Sequence, residues 1–287
     1  MDPRHGEAGA PALRLECASD VLLFRSVEDA VAAATEEGDV VALVAAGGSG
    51  GALVHWGRAA LSRPGVTLTT LGFDLSDESG EGDAGGAASA PPSAGPRRAG
   101  TERATLSHET PRPYESTVSV SAPRCRVVGL TIRHSSPSVA NNYALHVEEA
   151  AASSASSDDR DLARISECDV ASASGTALGL DSAARVSRSR LASNSRFGAA
   201  AFAPGPPRTT LLECELVGGG RKGVKGDVGS GGSGGLLVRG GDVEVRGCVL
   251  SGDPFAMRLV DGTGIVSGCV VKGRVEEGVA WEGEVVV

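Results

Sequence analysis

A short pattern that repeats six times limits what this chain can fold into. Each copy has an apolar residue, two further residues, a small or thiol residue, one more residue and an aliphatic residue. The small or thiol positions are Leu130, Cys168, Ser189, Cys214, Cys248 and Cys269, where leucine replaces the small residue in the first copy. Successive copies are 38, 21, 25, 34 and 21 residues apart. Self-similarity at a spacing of about 20–50 residues is typical of repeat architectures.

A second short apolar segment follows each copy, and the spacing leaves no room for a crossover helix. These segments are Tyr143–Val147, Thr176–Leu180, Gly198–Phe202, Gly235–Val238, Phe255–Leu259 and Gly278–Trp281. A coil of short parallel strands, with one turn per repeat, satisfies both observations because each turn buries its inward residues against the turns beside it. The sequence therefore predicts an all-β fold, a right-handed parallel β-helix.

Four segments are expected along the 287 residues. Residues 1–20 form a flexible leader. Residues 21–73 hold a capping helix over Ser26–Gly38, with Ser26 as its N-cap, followed by strands at Asp39–Gly47 and Gly65–Gly72. Residues 74–113 have two strong aliphatics, Leu75 and Leu106, so we expect a disordered insertion, of which residues 76–112 could be deleted with the fold retained. Residues 114–287 form the β-helix, with glycine-rich residues 218–235 as an insertion that could cover one face.

The four cysteines of the repeat are expected to stack inside the coil as small hydrophobic residues. A metal site is the alternative, but the chain lacks the paired CxxC spacing of zinc sites, so no metal and no cofactor are predicted. The first 20 residues have no apolar core of the kind that secretory signals carry. We therefore expect a cytoplasmic protein whose thiols stay reduced.

Charged residues flank the repeat on three successive turns. They are Glu167 and Asp169, then Arg188 and Arg190, then Glu213 and Glu215. Stacking predicts two outward columns of alternating sign. Such columns are candidate carboxylate sites for sugar chemistry, or cross-strand charge pairs that fix the register. We favour pairing, because the arginines would keep the carboxylates ionised.

The second strand of each turn should present a flat outer strip with little charge. Its predicted members are His146, Gly179, Ala201, Leu237, Arg258 and Ala280. This strip could be a partner surface, or it could be covered by the glycine-rich insertion. With nine aromatic residues in the chain, an aromatic-lined sugar cleft is not expected.

Charge and hydropathy exclude two classes of partner. The formal net charge is −9, which disfavours a nucleic-acid binder because phosphate neutralisation needs a basic face. The chain has no run of 18 apolar residues, so no membrane-spanning helix is predicted.

Two stretches carry a resemblance to known proteins. SVEDAVAAATEEGDVVALVAAG (26–47) resembles the N-terminal part of the pectin lyase-like superfold. TVSVSAPRCRVVGLTIRHSSPSVANNYALHV (117–147) is similar to pectinesterases, and also to the non-catalytic β-helix repeats of F-box proteins and of Shc-binding, spindle-associated proteins. The resemblance covers roughly residues 21–72 and 114–287 and implies the β-helix fold.

The catalytic motifs that the resemblance would imply are missing. The Gln-Asp pair of pectinesterases has no counterpart in Ser172–Leu180, and the polygalacturonase and lyase motifs do not occur. We therefore expect no catalytic residue and a non-catalytic scaffold that binds another protein. The alternative is a carbohydrate-active enzyme of the same superfold, with a polysaccharide as its partner.

Overall fold

A computed structural model describes residues 24–45, 53–75, 102–137, 142–151, 159–203, 207–219, 233–260 and 262–276. In these ranges one short α-helix, α1 (Val27–Ala33), precedes 22 strands, and two 3-10 turns lie at Glu149–Ala151 and Asp159–Asp161. The strands are β1 (Val40–Leu43), β2 (Val54–Trp56), β3 (Ala59–Leu61), β4 (Thr67–Thr70), β5 (Thr105–Glu109), β6 (Val118–Val120), β7 (Arg126–Val128), β8 (Thr131–Ser135), β9 (Tyr143–Val147), β10 (Ala163–Ser166), β11 (Asp169–Ser172), β12 (Thr176–Leu180), β13 (Ala184–Ser187), β14 (Arg190–Ser193), β15 (Phe197–Ala201), β16 (Thr209–Leu212), β17 (Glu215–Gly218), β18 (Gly234–Arg239), β19 (Asp242–Arg246), β20 (Val249–Val260), β21 (Thr263–Ser267) and β22 (Val270–Glu276).

The strands wind into a right-handed parallel β-helix, as the repeat predicts. Every third strand from β1 to β19, together with β21, belongs to an eight-stranded sheet in the order β1-β4-β7-β10-β13-β16-β19-β21. The other strands form two parallel strips, which the 12-residue β20 joins into one 14-stranded sheet. One turn, such as β10-β11-β12, therefore contributes one strand to each of three faces around a common core.

The repeated small or thiol residue lies at the corner between the first two strands of each turn. All six positions are buried, which confirms the predicted inward column. The side chain of Cys248 donates to the carbonyl of Arg246, and Cys269 donates to Ser267, at 3.4 and 3.3 Å. The Cys248 amide in turn donates to Cys269 Sγ at 3.4 Å. A thiol or hydroxyl fits this corner because it is small and can both donate and accept.

The residue before each corner adopts a left-handed backbone conformation. Gly129, Gly247 and Gly268 have φ of 64°, 60° and 60°. Glu167, Arg188 and Glu213 occupy the same position in other turns, with φ of 52°, 46° and 53°. Glycine adopts this region without steric cost, so glycine before the corner is a signal of the turn that the predicted pattern did not include.

Helix α1 packs against β1 and β3 and covers one end of the core with Val27 and Val31. The hydroxyl of Ser26 accepts from the Asp29 amide at 3.0 Å, which confirms the predicted N-cap. The helix ends at Ala33, earlier than the predicted Gly38, which instead occupies a left-handed position with φ of 95°.

The predicted insertion over residues 74–113 is too long. β5 pairs in parallel with β2 and β8, and Ala104 and Leu106 are fully buried. One leucine per turn is enough to hold a strand in this coil because its neighbours supply the rest of the apolar surface. Residues 76–101, which include most of the predicted insertion, lie outside the described ranges, as do the leader 1–20 and most of the glycine-rich residues 218–235.

Candidate functional site

The predicted column through Asp169 is an ion ladder. Arg133 Nη2 lies 2.8 Å from Asp169 Oδ2, and Arg190 Nη1 lies 3.6 Å from Asp169 Oδ1. Arg190 Nε also lies 3.2 Å from Glu215 Oε2. Sequence reasoning missed Arg133, which precedes the first predicted member by one turn.

The pKa of Asp169 shows what this ladder does to its carboxylate. Burial alone would raise the pKa, but the hydrogen bond and charge of Arg133, together with Arg190, lower it. Asp169 therefore stays ionised and is a poor proton donor.

The second predicted column is only partly paired. Arg188 Nε lies 3.3 Å from Glu167 Oε1. Both residues are described, as is Glu213, and no ion pair within 4.0 Å joins Arg188 to Glu213. The left-handed backbone at these three positions determines the direction in which their side chains leave the main chain. The residues of the two columns do not line the pocket of the structure that is described next.

A pocket of about 330 Å³ opens instead on the outer face of the strip that contains β9, β12, β15 and β18. Its lining residues are Asn142, Tyr143, Thr176, Asp181, Arg196, Phe197, Ala200, Phe202, Leu237 and Arg239. The volume is within the lower range of small-molecule sites.

An outward row of residues in register runs along this strip. His146, Gly179 and Ala200 are paired across β9, β12 and β15, and Leu237 follows on β18. Ala200 and Leu237 of this row line the pocket. Ala201 was predicted to lie on this strip, but it pairs with Leu180 and points inward. The predicted strand began one residue late, and an error of one residue exchanges the two faces. Ala280 lies outside the described residues.

One wall is a contact chain of three side chains. The rings of Tyr143 and His146 stack with their centroids 4.6 Å apart. His146 Nε2 lies 2.9 Å from Asp181 Oδ2. The Tyr143 ring lies over Gly179, where an added Cβ would come within 2.5 Å of the ring. Burial, with a smaller contribution from Asp181, raises the pKa of Tyr143 to about 12, so its hydroxyl remains a hydrogen-bond donor at neutral pH.

The other wall combines aromatic and cationic groups. Phe197, Ala200 and Leu237 form a small apolar cluster, against which Phe202 packs. Arg196 and Arg239 add guanidinium groups to the lining. The strip is therefore neither flat nor poorly charged, contrary to the sequence prediction. Three of the nine aromatic residues meet here, so a low aromatic content did not exclude an aromatic-lined pocket.

A second polar cluster surrounds Glu115, near the first turns of the coil. Thr110 Oγ1 donates to Glu115 Oε2, and His108 Nε2 lies 3.4 Å from the same oxygen. Arg58 Nη1 lies 3.5 Å from Glu115 Oε1. These contacts, the Thr110 hydrogen bond above all, lower the pKa of Glu115 against the opposing effect of its burial.

His134 lies beside this cluster, with its ring 6.3 Å from that of His108. Thr117 Oγ1 donates to the Arg133 carbonyl at 3.0 Å, so it accepts from His134 Nδ1 at 3.1 Å. Nε2 of His134 has no hydrogen-bond partner among the described residues. Burial lowers the pKa of His134 to about 4. Among the described residues, no group of three metal-ligating side chains is arranged to hold a metal ion.

The coil is similar to solved structures of pectin methylesterases. The enzyme PemA from Erwinia chrysanthemi superposes with a TM-score of 0.54 at 11% identity, over 93% of this chain and 78% of that chain. A point mutant of a pectin methylesterase in complex with a hexasaccharide gives a TM-score of 0.46 at 15% identity, over 88% and 78%. At these identities, the first similarity supports the parallel β-helix fold.

No protein-family model matches the sequence, and a comparison with curated proteins finds no match. The similarity to F-box and Shc-binding repeats stays a prediction. In the ranges that the structure describes, no helix has the length and apolar character needed to cross a membrane.

Proposed function

We propose that this protein binds a saccharide in the outer-face pocket. The observation that supports the proposal is the composition of the pocket: the partly exposed rings of Tyr143 and Phe202, with the buried Phe197 behind them, beside two arginines, an aspartate, an asparagine and a threonine. Sugar rings present apolar C–H faces that pack on aromatic rings, and hydroxyls that bond to charged and amide groups.

Binding fits this pocket better than glycoside hydrolysis does. Hydrolysis uses a pair of carboxylates about 5–9.5 Å apart. Among the described residues that line the pocket, Asp181 is the one carboxylate. The described lining of the pocket therefore does not supply the second carboxylate that a glycosidase needs.

Calorimetric titration with neutral and uronic-acid oligosaccharides tests the proposal. Tyr143→Ala removes the ring that covers Gly179, so affinity should fall about tenfold or more, as loss of an aromatic anchor does. Tyr114→Ala is the matched control, because Tyr114 is 70% exposed and lies outside the pocket lining. Equal binding by the two variants, or no binding of any saccharide by the wild type, would reject the proposal.

A carbohydrate-active enzyme is the second candidate. The contact between His146 and Asp181 supports it, since a histidine within hydrogen-bond reach can orient a carboxylate and exchange a proton with it. An assay of wild type and Asp181→Asn for ester hydrolysis, lyase and hydrolase activity on pectins, alginates and glucans distinguishes the two. Turnover that is lost in Asp181→Asn while binding is retained would favour the enzyme. The protein-binding scaffold expected from the sequence stays a prediction.

A further inference from the structure

His146 contacts two residues of the outer-face pocket without being one of its lining residues. Its ring stacks on that of Tyr143, with the centroids 4.6 Å apart and the planes inclined by 27°. Its Nε2 lies 2.9 Å from Asp181 Oδ2. The side chain of His146 is 19% exposed and that of Asp181 is 40% exposed, so the histidine lies behind the wall that a ligand would touch.

The register of the parallel strands fixes the place of His146. Its position on β9 pairs with Ser119 on β6 and with Gly179 on β12. Both neighbours are small, which leaves space beside the imidazole. Tyr143, three residues earlier on β9, extends over Gly179, where an added Cβ would come within 2.5 Å of its ring. The Tyr143 ring therefore contacts Gly179 on the next strand and His146 on its own, and these contacts restrict its orientation.

The same histidine orients the carboxylate of Asp181. Asp181 directly follows β12, and its amide donates to the Val147 carbonyl at 2.9 Å, which holds its backbone against β9. In the part of the chain that the structure describes, His146 is the one residue whose side chain bonds to this carboxylate. An ionised carboxylate only accepts, so Nε2 of His146 is the donor. The bond occupies Oδ2 and leaves Oδ1 to accept from a ligand hydroxyl.

We propose that His146 is a positioning residue for saccharide binding, because it holds the Tyr143 ring and the Asp181 carboxylate in the arrangement that a sugar contacts. This inference rests on the function proposed for the outer-face pocket. The C–H face of the sugar packs on Tyr143 while one of its hydroxyls donates to Asp181 Oδ1. A wall that is ordered before the ligand arrives loses less conformational freedom on binding, so the same contacts give a tighter complex.

Calorimetric titration of the full chain at neutral pH, with glucan and uronic-acid oligosaccharides, tests the effect on affinity. His146→Ala removes both contacts and should weaken binding about five- to tenfold. His146→Gln keeps a donor for Asp181, and His146→Phe keeps a ring beside Tyr143. Each of these two variants should therefore lose less affinity than His146→Ala, about two- to threefold. They also keep the inference testable if His146→Ala fails to fold.

His108 supplies a matched control. Its Nε2 also lies beside a carboxylate, 3.4 Å from Glu115 Oε2, and its side chain is 18% exposed. His108 is not a lining residue of the pocket, so His108→Ala should change affinity less than about twofold. An equal loss in His108→Ala and His146→Ala would overturn the inference, as would wild-type affinity in His146→Ala.

A double-mutant cycle shows whether His146 acts through Asp181. If it does, His146→Ala combined with Asp181→Ala should lose less affinity than the product of the two single losses. Losses that multiply would mean that His146 affects binding independently of the carboxylate, and would contradict the positioning role.

A measurement without ligand separates this inference from the function of the pocket. The chain has two tyrosines, so NMR of protein with isotope-labelled tyrosine follows each ring. The Tyr143 ring should rotate about its Cβ–Cγ bond faster in His146→Ala than in the wild type, whereas Tyr114, which is 70% exposed, should rotate equally fast in both. An unchanged Tyr143 rate would reject the positioning role even if a saccharide binds. A faster rate in a protein that binds no saccharide would reject the function of the pocket, and with it the role of His146 in binding.

Discussion

His134 is a buried imidazole that bonds to Thr117, whereas His108 and His146 each lie beside a carboxylate. It is 2% exposed, and burial lowers its pKa to about 4. In the unfolded chain a histidine has a pKa of about 6.5. The unfolded state therefore binds more protons between these values, and His134 makes folding less favourable as pH falls from about 6.5 toward 4.

Replacing His134 should reduce the change in unfolding free energy with pH between about 6.5 and 4. His134→Asn keeps a donor near Thr117, and the difference in unfolding free energy between wild type and variant should shift by on the order of 1–3 kcal/mol between pH 7 and pH 4.5 in favour of the variant. Urea denaturation at several pH values measures it. Parallel profiles for wild type and His134→Asn would contradict the assignment.

The left-handed residue before each corner offers a backbone test. Gly247 has φ of 60°, and the nearest atom to an added Cβ is Glu213 Cγ at 3.7 Å, so space is not limiting. Gly247→Ala should cost about 1–2 kcal/mol because a Cβ disfavours this conformation. Gly247→Asn should cost less, since asparagine tolerates it. Chemical denaturation would show the order, and equal costs would mean that packing rather than φ controls the position.

Among the elements, the ion ladder across β8, β11, β14 and β17 fixes the register more than it adds stability. Arg190 contacts Asp169 and Glu215 but is 43% exposed. Arg190→Ala should therefore cost about 1 kcal/mol or less, and less still at high salt. Arg190→Glu should cost more, because three acids then stand in one column. Urea denaturation of both variants at two salt concentrations tests this, and an alanine cost that is large and independent of salt would refute it.

The elements that could be predicted from the sequence are those whose apolar residues belong to the repeat. The buried corner at Cys168, Cys248 and Cys269 follows from its repeated spacing, and the strand Tyr143–Val147 follows from its place after the first copy of the repeat. β5 was missed because a strand with one buried leucine has no pattern of its own. The pocket was missed because Tyr143, Asp181 and Arg196 are distant in sequence and meet only when three turns stack.

The molecule as a whole is a one-dimensional stack, so its parts need not unfold together. Each described turn contacts the turns beside it, and among the described strands β22, in the last described turn, pairs with β20 alone. Cys269 lies at the corner of that turn, whereas Cys168 lies between turns that are paired on both sides. Local opening should therefore reach Cys269 at lower denaturant than Cys168.

Thiol labelling measures how readily each turn opens. The five described cysteines are free and buried. Burial raises the pKa of Cys125 to about 11, and the contact with Cys248, with burial, raises that of Cys269. Because all five side chains are buried, native labelling at neutral pH should be slow at each of them. As urea rises, mass spectrometry should find Cys269 labelled first, then Cys248, and Cys168 last.

Cys269→Ser, which keeps the corner hydrogen bonds, should remove the earliest signal without changing the order of the rest. Simultaneous labelling of all five would show that the coil unfolds as a single cooperative unit.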